Sequence, residues 1–153
     1  MLAEQRFVVD ASVATKWYLR DEEYMDKAAS LLLDFAQGKN YLLAPSFIQY
    51  ELANAINVAR RRGRLADEVA RESAEDFFSL GLHLADGSDL ILSAFDFSSQ
   101  LGIALYDALY LTLAENFSIP FITADKELYE HLKDKVPYMM WVGDYKGHEA
   151  DSS

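Results

Sequence analysis

A chain of 153 residues that is 51% hydrophobic and 25% charged has the composition of one ordinary globular domain, not of a disordered or fibrous protein. Its 14 basic and 25 acidic residues leave a net charge of −11, which excludes nonspecific capture of nucleic acid by a positive surface. Phosphate binding would then need a local basic patch or divalent cations. With no cysteine there are no disulfides and no thiolate-held metal. No apolar run reaches the roughly 18 residues of a membrane span, and nothing like a signal peptide precedes Phe7, so a cytoplasmic location is expected.

Phe7-Val8-Val9 is a short, wholly apolar run closed by Asp10, the pattern of a strand buried on both faces. Asp10 and Ser12 lead into a helical stretch over residues 14–19, and either side chain is placed to cap it. Asp21-Glu22-Glu23 puts negative charge at the opening of a second helix, whose apolar positions Tyr24, Ala28, Leu31, Leu32 and Phe35 recur at helical spacing until Gly38. A second strand follows over residues 41–44. Pro45-Ser46 then turns into a long helix with the apolar stripe Ile48, Leu52, Ala55, Ile56 and Ala59. Glu51 falls on the margin of that stripe, where a carboxylate either points along a cleft or faces water, and Asn54 lies one turn on. Arg60-Arg61-Arg62-Gly63-Arg64 closes the helix; it reads equally as a complement to the helix dipole and as a phosphate-contacting patch.

Residues 65–80 form another amphipathic helix carrying Phe77-Phe78, and residues 82–85 fit either a short strand or a loop. Ser88 is placed to cap a helix over residues 89–100, stopped by Leu101-Gly102. From Leu105 the pattern is helix, tight link, apolar strand over residues 119–123 and a new helix over 126–133. Asp107 stands at the start of the first helix and Asp125 at the start of the second. Pro137 precedes a last strand over residues 138–142, then Gly143-Asp144, and the polar tail from Gly147 is expected to fray.

Strands separated by helical patterns predict a parallel α/β sheet with helices on both faces, joined by right-handed crossovers. Such sheets build their sites along the edge where the strands end. Asp10, Glu51, Asp107 and Asp125 each have an ordinary explanation as a cap or a surface charge, but together they stand at boundaries that this topology gathers at one edge. Carboxylates converging without basic partners repel and raise one another's pKa, and a divalent cation offsets that repulsion. Hard oxygen ligands suit Mg2+ or Mn2+, and the matching chemistry is phosphodiester hydrolysis. The histidines, His83, His131 and His148, are scattered and read as surface or packing residues, and there is no glycine-rich phosphate loop.

Four stretches together carry a family resemblance: Val8-Val9-Asp10-Ala11-Ser12-Val13 with Trp17 downstream; Pro45 leading to Glu51-Leu52-Ala53-Asn54-Ala55; Leu105-Tyr106-Asp107-Ala108-Leu109-Tyr110-Leu111; and Ile122-Thr123-Ala124-Asp125-Lys126. In this order, over residues 7–132, they resemble the PIN-domain family and in particular its VapC-like toxins. The resemblance implies a PIN-like three-layer α/β/α fold with a central parallel sheet of about four to five strands, a single nuclease domain over residues 1–146 and a tail over 147–153. It implies an Mg2+- or Mn2+-dependent endoribonuclease, the toxin of a VapBC-type toxin–antitoxin pair, whose metal-binding and catalytic acids are Asp10, Glu51, Asp107 and Asp125. Ser12 and Thr123 correspond to hydroxyl positions flanking such a site, with Asn54 placed to help. Arg60, Arg61, Arg62 and Arg64 are the candidate RNA contacts. A cognate VapB-like antitoxin and a homodimer are the expected partners. Asp144 matches no motif of the family and is either a supplementary acid or a loop residue. The alternative is a catalytically silent PIN-like module that binds protein or RNA. A phospho-aspartate receiver or phosphatase is disfavoured, since no Asp-x-Asp motif follows the first strand.

Overall fold

Five strands, Gln5–Val9 (β1), Asn40–Pro45 (β2), His83–Ala85 (β3), Phe121–Thr123 (β4) and Met139–Trp141 (β5), pair in one parallel sheet of order β3-β2-β1-β4-β5. This computed structural model describes residues 4–20 and 23–147. The helices are Ala11–Thr15 (α1), Met25–Ala36 (α2), Ile48–Arg61 (α3), Asp67–Ser79 (α4), Ile91–Leu101 (α5), Leu105–Phe117 (α6) and Lys126–Leu132 (α7). Residues 82–85, open between strand and loop on sequence grounds, contribute the edge strand β3.

Side-chain alternation explains why the inner strands are apolar throughout. Phe7, Val9, Leu42, Ala44 and Ile122 enter a core with α1, α2, α3 and Phe77 of α4, while Val8, Leu43 and Phe121 enter a second core with α6 and α7. The sheet is thus the middle of three layers, as the sequence implied. In α6 every residue from Ala108 to Ala114 is buried, because α5 covers the face that the sheet does not. The chain leaves β1 towards β2 and β3 on one side, then crosses to β4 and β5 on the other. A crevice therefore opens between the C-terminal ends of β1 and β4.

Several boundaries differ from the sequence reading, each for a local reason. The first helix is the single turn and a half of α1, beginning directly after Asp10 rather than at residue 14. Of the acidic run proposed to open α2, Asp21 and Glu22 lie outside the described residues, and Glu23 precedes the helix; Tyr24, at φ +57°, turns the chain into it. Ser88 does not cap the next helix. The cap is Asp86, whose side chain accepts the Ser88 amide and starts a 3-10 turn over Gly87–Leu90 that runs into α5. Gly102, at φ +66°, ends α5 as expected. After β5, Tyr145 is buried and donates its hydroxyl to Asp34 of α2, which anchors the chain's last described segment. Of the tail, residues 148–153, including His148, lie outside the described residues.

Candidate active site

Asp10 ends β1 and occupies the N-cap position of α1, yet its side chain does not cap that helix. It turns instead across the crevice to β4, where Asp10 Oδ2 accepts two hydroxyls, Ser12 Oγ and Thr123 Oγ1, each at 2.7 Å. Each hydroxyl in turn accepts a backbone amide: Ala124 N–H to Ser12 Oγ at 2.9 Å, and Asp125 N–H to Thr123 Oγ1 at 3.0 Å. Each hydroxyl thus accepts from an amide and donates its proton to the same carboxylate oxygen, and the two hydroxyls lie 3.3 Å apart. Asp10 and Thr123 are both buried, so this arrangement is rigid. Ser12 and Thr123, read from sequence as flanking hydroxyls, orient Asp10.

Asp125 shows the contrasting outcome. It caps α7, its Oδ1 accepting the Leu128 amide at 3.0 Å, and remains exposed on the same rim. Asp107 stands in the first turn of α6 and faces Asp125 across a cleft of about 470 Å³ that Glu127 and His131 also line. Glu51, in the first turn of α3, is half-buried and accepts the Tyr110 hydroxyl at Oε1, 2.7 Å away.

The electrostatics tie the four acids together. Burial pushes the Asp107 carboxyl up from 3.8 to about 6, and the negative charges of Asp10 and Asp125 add to the rise. Glu51 is raised by burial, opposed by the Tyr110 hydrogen bond and reinforced by Asp10 and Asp107. Asp10 is raised by burial against the lowering pull of Ser12, Thr123 and the Ala11 amide, with Asp125 raising it further. No lysine or arginine figures among the groups that act on these three. Asp10, Glu51 and Asp107 thus each feel at least one other acid of the rim, although among the described residues no three acidic or histidine side chains stand close enough to hold one ion as they are. The donor chemistry fits a hard divalent cation: oxygen ligands only, mutually repelling and with no internal counter-charge. Asp10, Glu51, Asp107 and Asp125 are the residues that would hold it.

Sequence reasoning passes over Tyr110 as a functional residue. It is fully buried, packs edge-on against Phe47 and sits against Phe121, and burial together with the charges of Asp10 and Glu51 keeps its phenol protonated as a donor. The available signal was a polar atom three residues after Asp107 on a helix otherwise apolar over that turn. Asn54 is exposed and makes no hydrogen bond to Glu51. Arg60, Arg61, Arg62 and Arg64 are all exposed at the far end of α3, about 14 Å along the axis from Glu51 at 1.5 Å per residue. Asp144 is exposed in the 3-10 turn after β5 and does not act on the other acids. His83 is exposed and stacks on Tyr41, while His131, also exposed, lines the acidic cleft with its Nε2 bonded to the Leu101 carbonyl.

A parallel sheet whose switch-point crevice is rimmed by coupled acids defines a class of α/β protein that works at its strand ends. Residues 7–133 match the model of the PIN domain, and the chain belongs to that family. It is 29% identical over 127 residues to Ribonuclease VapC3 of Pyrobaculum aerophilum, covering 82% of this chain and 93% of the relative. Among solved structures, PAE2754 from Pyrobaculum aerophilum superposes with a TM-score of 0.65 at 22% identity, covering 93% of each chain. Two others share the fold: Mycobacterium tuberculosis VapC20, a Sarcin-Ricin loop cleaving toxin (TM-score 0.56, 14% identity, 78% and 88% covered), and VapBC2 from Rickettsia felis, bound to a DNA fragment from their promoter (TM-score 0.60, 15% identity, 90% and 97% covered).

Proposed function

We propose that this protein is an Mg2+- or Mn2+-dependent endoribonuclease and the toxin of a VapBC-type pair, with residues 1–146 as its nuclease domain, acting in the cytoplasm. The observation that carries the reading is Asp10 held by two amide-anchored hydroxyls, beside three further acids that repel it and one another. Membership of the PIN family and the likeness to Ribonuclease VapC3 support it.

In this reading Asp10, Glu51, Asp107 and Asp125 hold the cation. When bound, it supplies Lewis-acid polarisation of the scissile phosphate and a more acidic water. The chain's own contributions are positional. Ser12 and Thr123 fix the Asp10 carboxylate, and Tyr110 fixes that of Glu51. Asp107, whose carboxyl burial and the charges of Asp10 and Asp125 push up to about 6, is the member that gains most from a neighbouring positive charge. The exposed Arg60–Arg64 run gives an acidic chain a cationic surface for the RNA backbone, and neutralising it would weaken binding and flatten its salt dependence.

The VapBC2 neighbour supports a cognate VapB-like antitoxin as partner. A homodimer is also proposed: α5 turns Ile91, Leu92 and Phe95 to solvent, with Leu92 80% and Phe95 64% exposed, and a second copy is the occupant proposed for that face. The test of the nuclease reading is cleavage of a mixed RNA pool with Mg2+ or Mn2+, lost on chelation and lost in Asp10→Asn. Full activity in Asp10→Asn would remove it. The second reading is a silent PIN-like module that binds protein or RNA. Co-purification with a small partner and no metal-dependent cleavage would establish that module instead.

A further inference from the structure

Beside the acidic crevice, the ends of β4 and β5 frame another cleft of about 250 Å³, walled by Tyr24, Tyr129 and Trp141 and carrying Lys16 and Lys126. Ala124 and Lys126, which line it, flank Asp125 in the chain, so this cleft begins where the acidic site ends.

The aromatic wall is built rather than incidental. The Trp141 ring meets Tyr24 edge-on, with centroids 5.3 Å apart and planes at 83°, and lies 5.5 Å from Tyr129. Gly143 makes that packing possible, because a Cβ there would lie 2.7 Å from Trp141 Nε1 and 2.8 Å from Tyr24 Cε1. Tyr24 reaches the cluster from a left-handed backbone conformation, φ +57°, which a bulky residue rarely adopts and which tends to mark functional sites. Three large rings thereby line an open cleft, with Trp141 backed by the first core. Of the carboxylates at the margin, Glu130 is tied to Lys133 at 2.7 Å. Glu23 also lines the cleft.

Aromatic faces next to cationic side chains are how proteins hold single-stranded RNA: bases stack on the rings and phosphates meet the cations. We propose that this cleft holds one unpaired nucleotide adjoining the bond to be cut, its base against Trp141 and its phosphate at Lys126. The inference rests on the nuclease reading and adds to it a second point of substrate contact, a base subsite beside the scissile phosphate. A base locked in a duplex cannot enter.

The test is equilibrium binding of a short, fluorescein-labelled single-stranded RNA to Asp107→Asn protein, in which cleavage is silenced, and to the same protein carrying Trp141→Ala, Trp141→Phe or Lys126→Ala. Trp141→Ala should weaken binding about tenfold, the usual worth of one base–aromatic stack, and Trp141→Phe should recover most of it. Lys126→Ala should reduce the slope of log affinity against log salt by about 0.7, one phosphate contact on a single strand. RNA should quench Trp141 emission, and a fully paired RNA should not distinguish Trp141→Ala from its parent. Circular dichroism of the Trp141→Ala protein separates lost stacking from lost fold. Wild-type cleavage of RNA combined with Trp141→Ala binding within twofold of the parent would overturn the inference and leave the nuclease reading standing. Wild-type protein that neither binds nor cleaves RNA would end both.

Discussion

Replacing Asp107 by asparagine is expected to stabilise the metal-free protein while abolishing its chemistry. The carboxyl is pushed from 3.8 to about 6 by burial and then by Asp10 and Asp125, so above pH 6 the folded chain carries a charge that the unfolded chain accommodates more easily. A rise of that size corresponds to about 3 kcal/mol at about 1.4 kcal/mol per pH unit. Because the side chain is only half-buried, solvent screening reduces the figure to about 1–1.5 kcal/mol. The sign follows from the raised folded value: the stabilising effect of protonation is complete below pH 3.8 and is lost as pH rises through 6. The Asp107→Asn side chain has no charge to lose, so the variant's advantage over wild type should be full above about pH 6 and shrink towards pH 4. In chelator at pH 7.5, differential scanning calorimetry should show a midpoint about 2–6 °C above wild type, given about 2–4 °C per kcal/mol for a domain of this size. Excess Mn2+ should then raise the wild type more than the variant. An Asp107→Asn protein melting at or below wild type across pH 5–8 would refute the claim that the acids repel one another unrelieved.

Tyr110→Phe keeps the ring against Phe47 and Phe121 and removes only the hydrogen bond to Glu51. Calorimetric titration should show Mn2+ affinity about five- to tenfold weaker, with the melting temperature within a few degrees of wild type. Thr123→Val preserves shape but takes a donor from Asp10 and leaves the Asp125 amide without its acceptor. Chemical denaturation should register a loss of about 2–4 kcal/mol, and a variant as stable as wild type would dissolve the account of how Asp10 is held. Charge on the open face of α5, as in Leu92→Asp with Phe95→Asp, should convert a dimer to monomer by sedimentation while leaving the circular dichroism spectrum intact.

The acids that end apolar runs were legible because two periodicities meet at them. Asp10 closes a strand and opens a helix, Asp125 does the same after β4, and parallel topology brings such ends together. What distinguishes them was not legible. Capping and site geometry call for the same residue type in the same place, and only the positions of Ser12 and Thr123 turn Asp10 away from its helix while Asp125 caps its own. Tyr110 escaped because a tyrosine on an apolar helix reads as core, and it is core; its role lies in one oxygen. The link from Tyr145 to Asp34 joins residues 111 positions apart, a separation local patterns do not reach. The cap at Asp86 was missed because Ser88, two residues on, is an equally good capping type, and the choice between them is set by where the 3-10 turn begins.

The most direct measurement of the central claim is a Mn2+ titration by isothermal calorimetry of wild-type and Asp107→Asn proteins, with both then incubated with a mixed RNA pool at the saturating concentration found. Saturable Mn2+ binding and RNA cleavage in the wild type, both lost in the variant, is the predicted result. Cleavage by Asp107→Asn at the wild-type rate, or a wild type that binds Mn2+ no better than the variant, would contradict it.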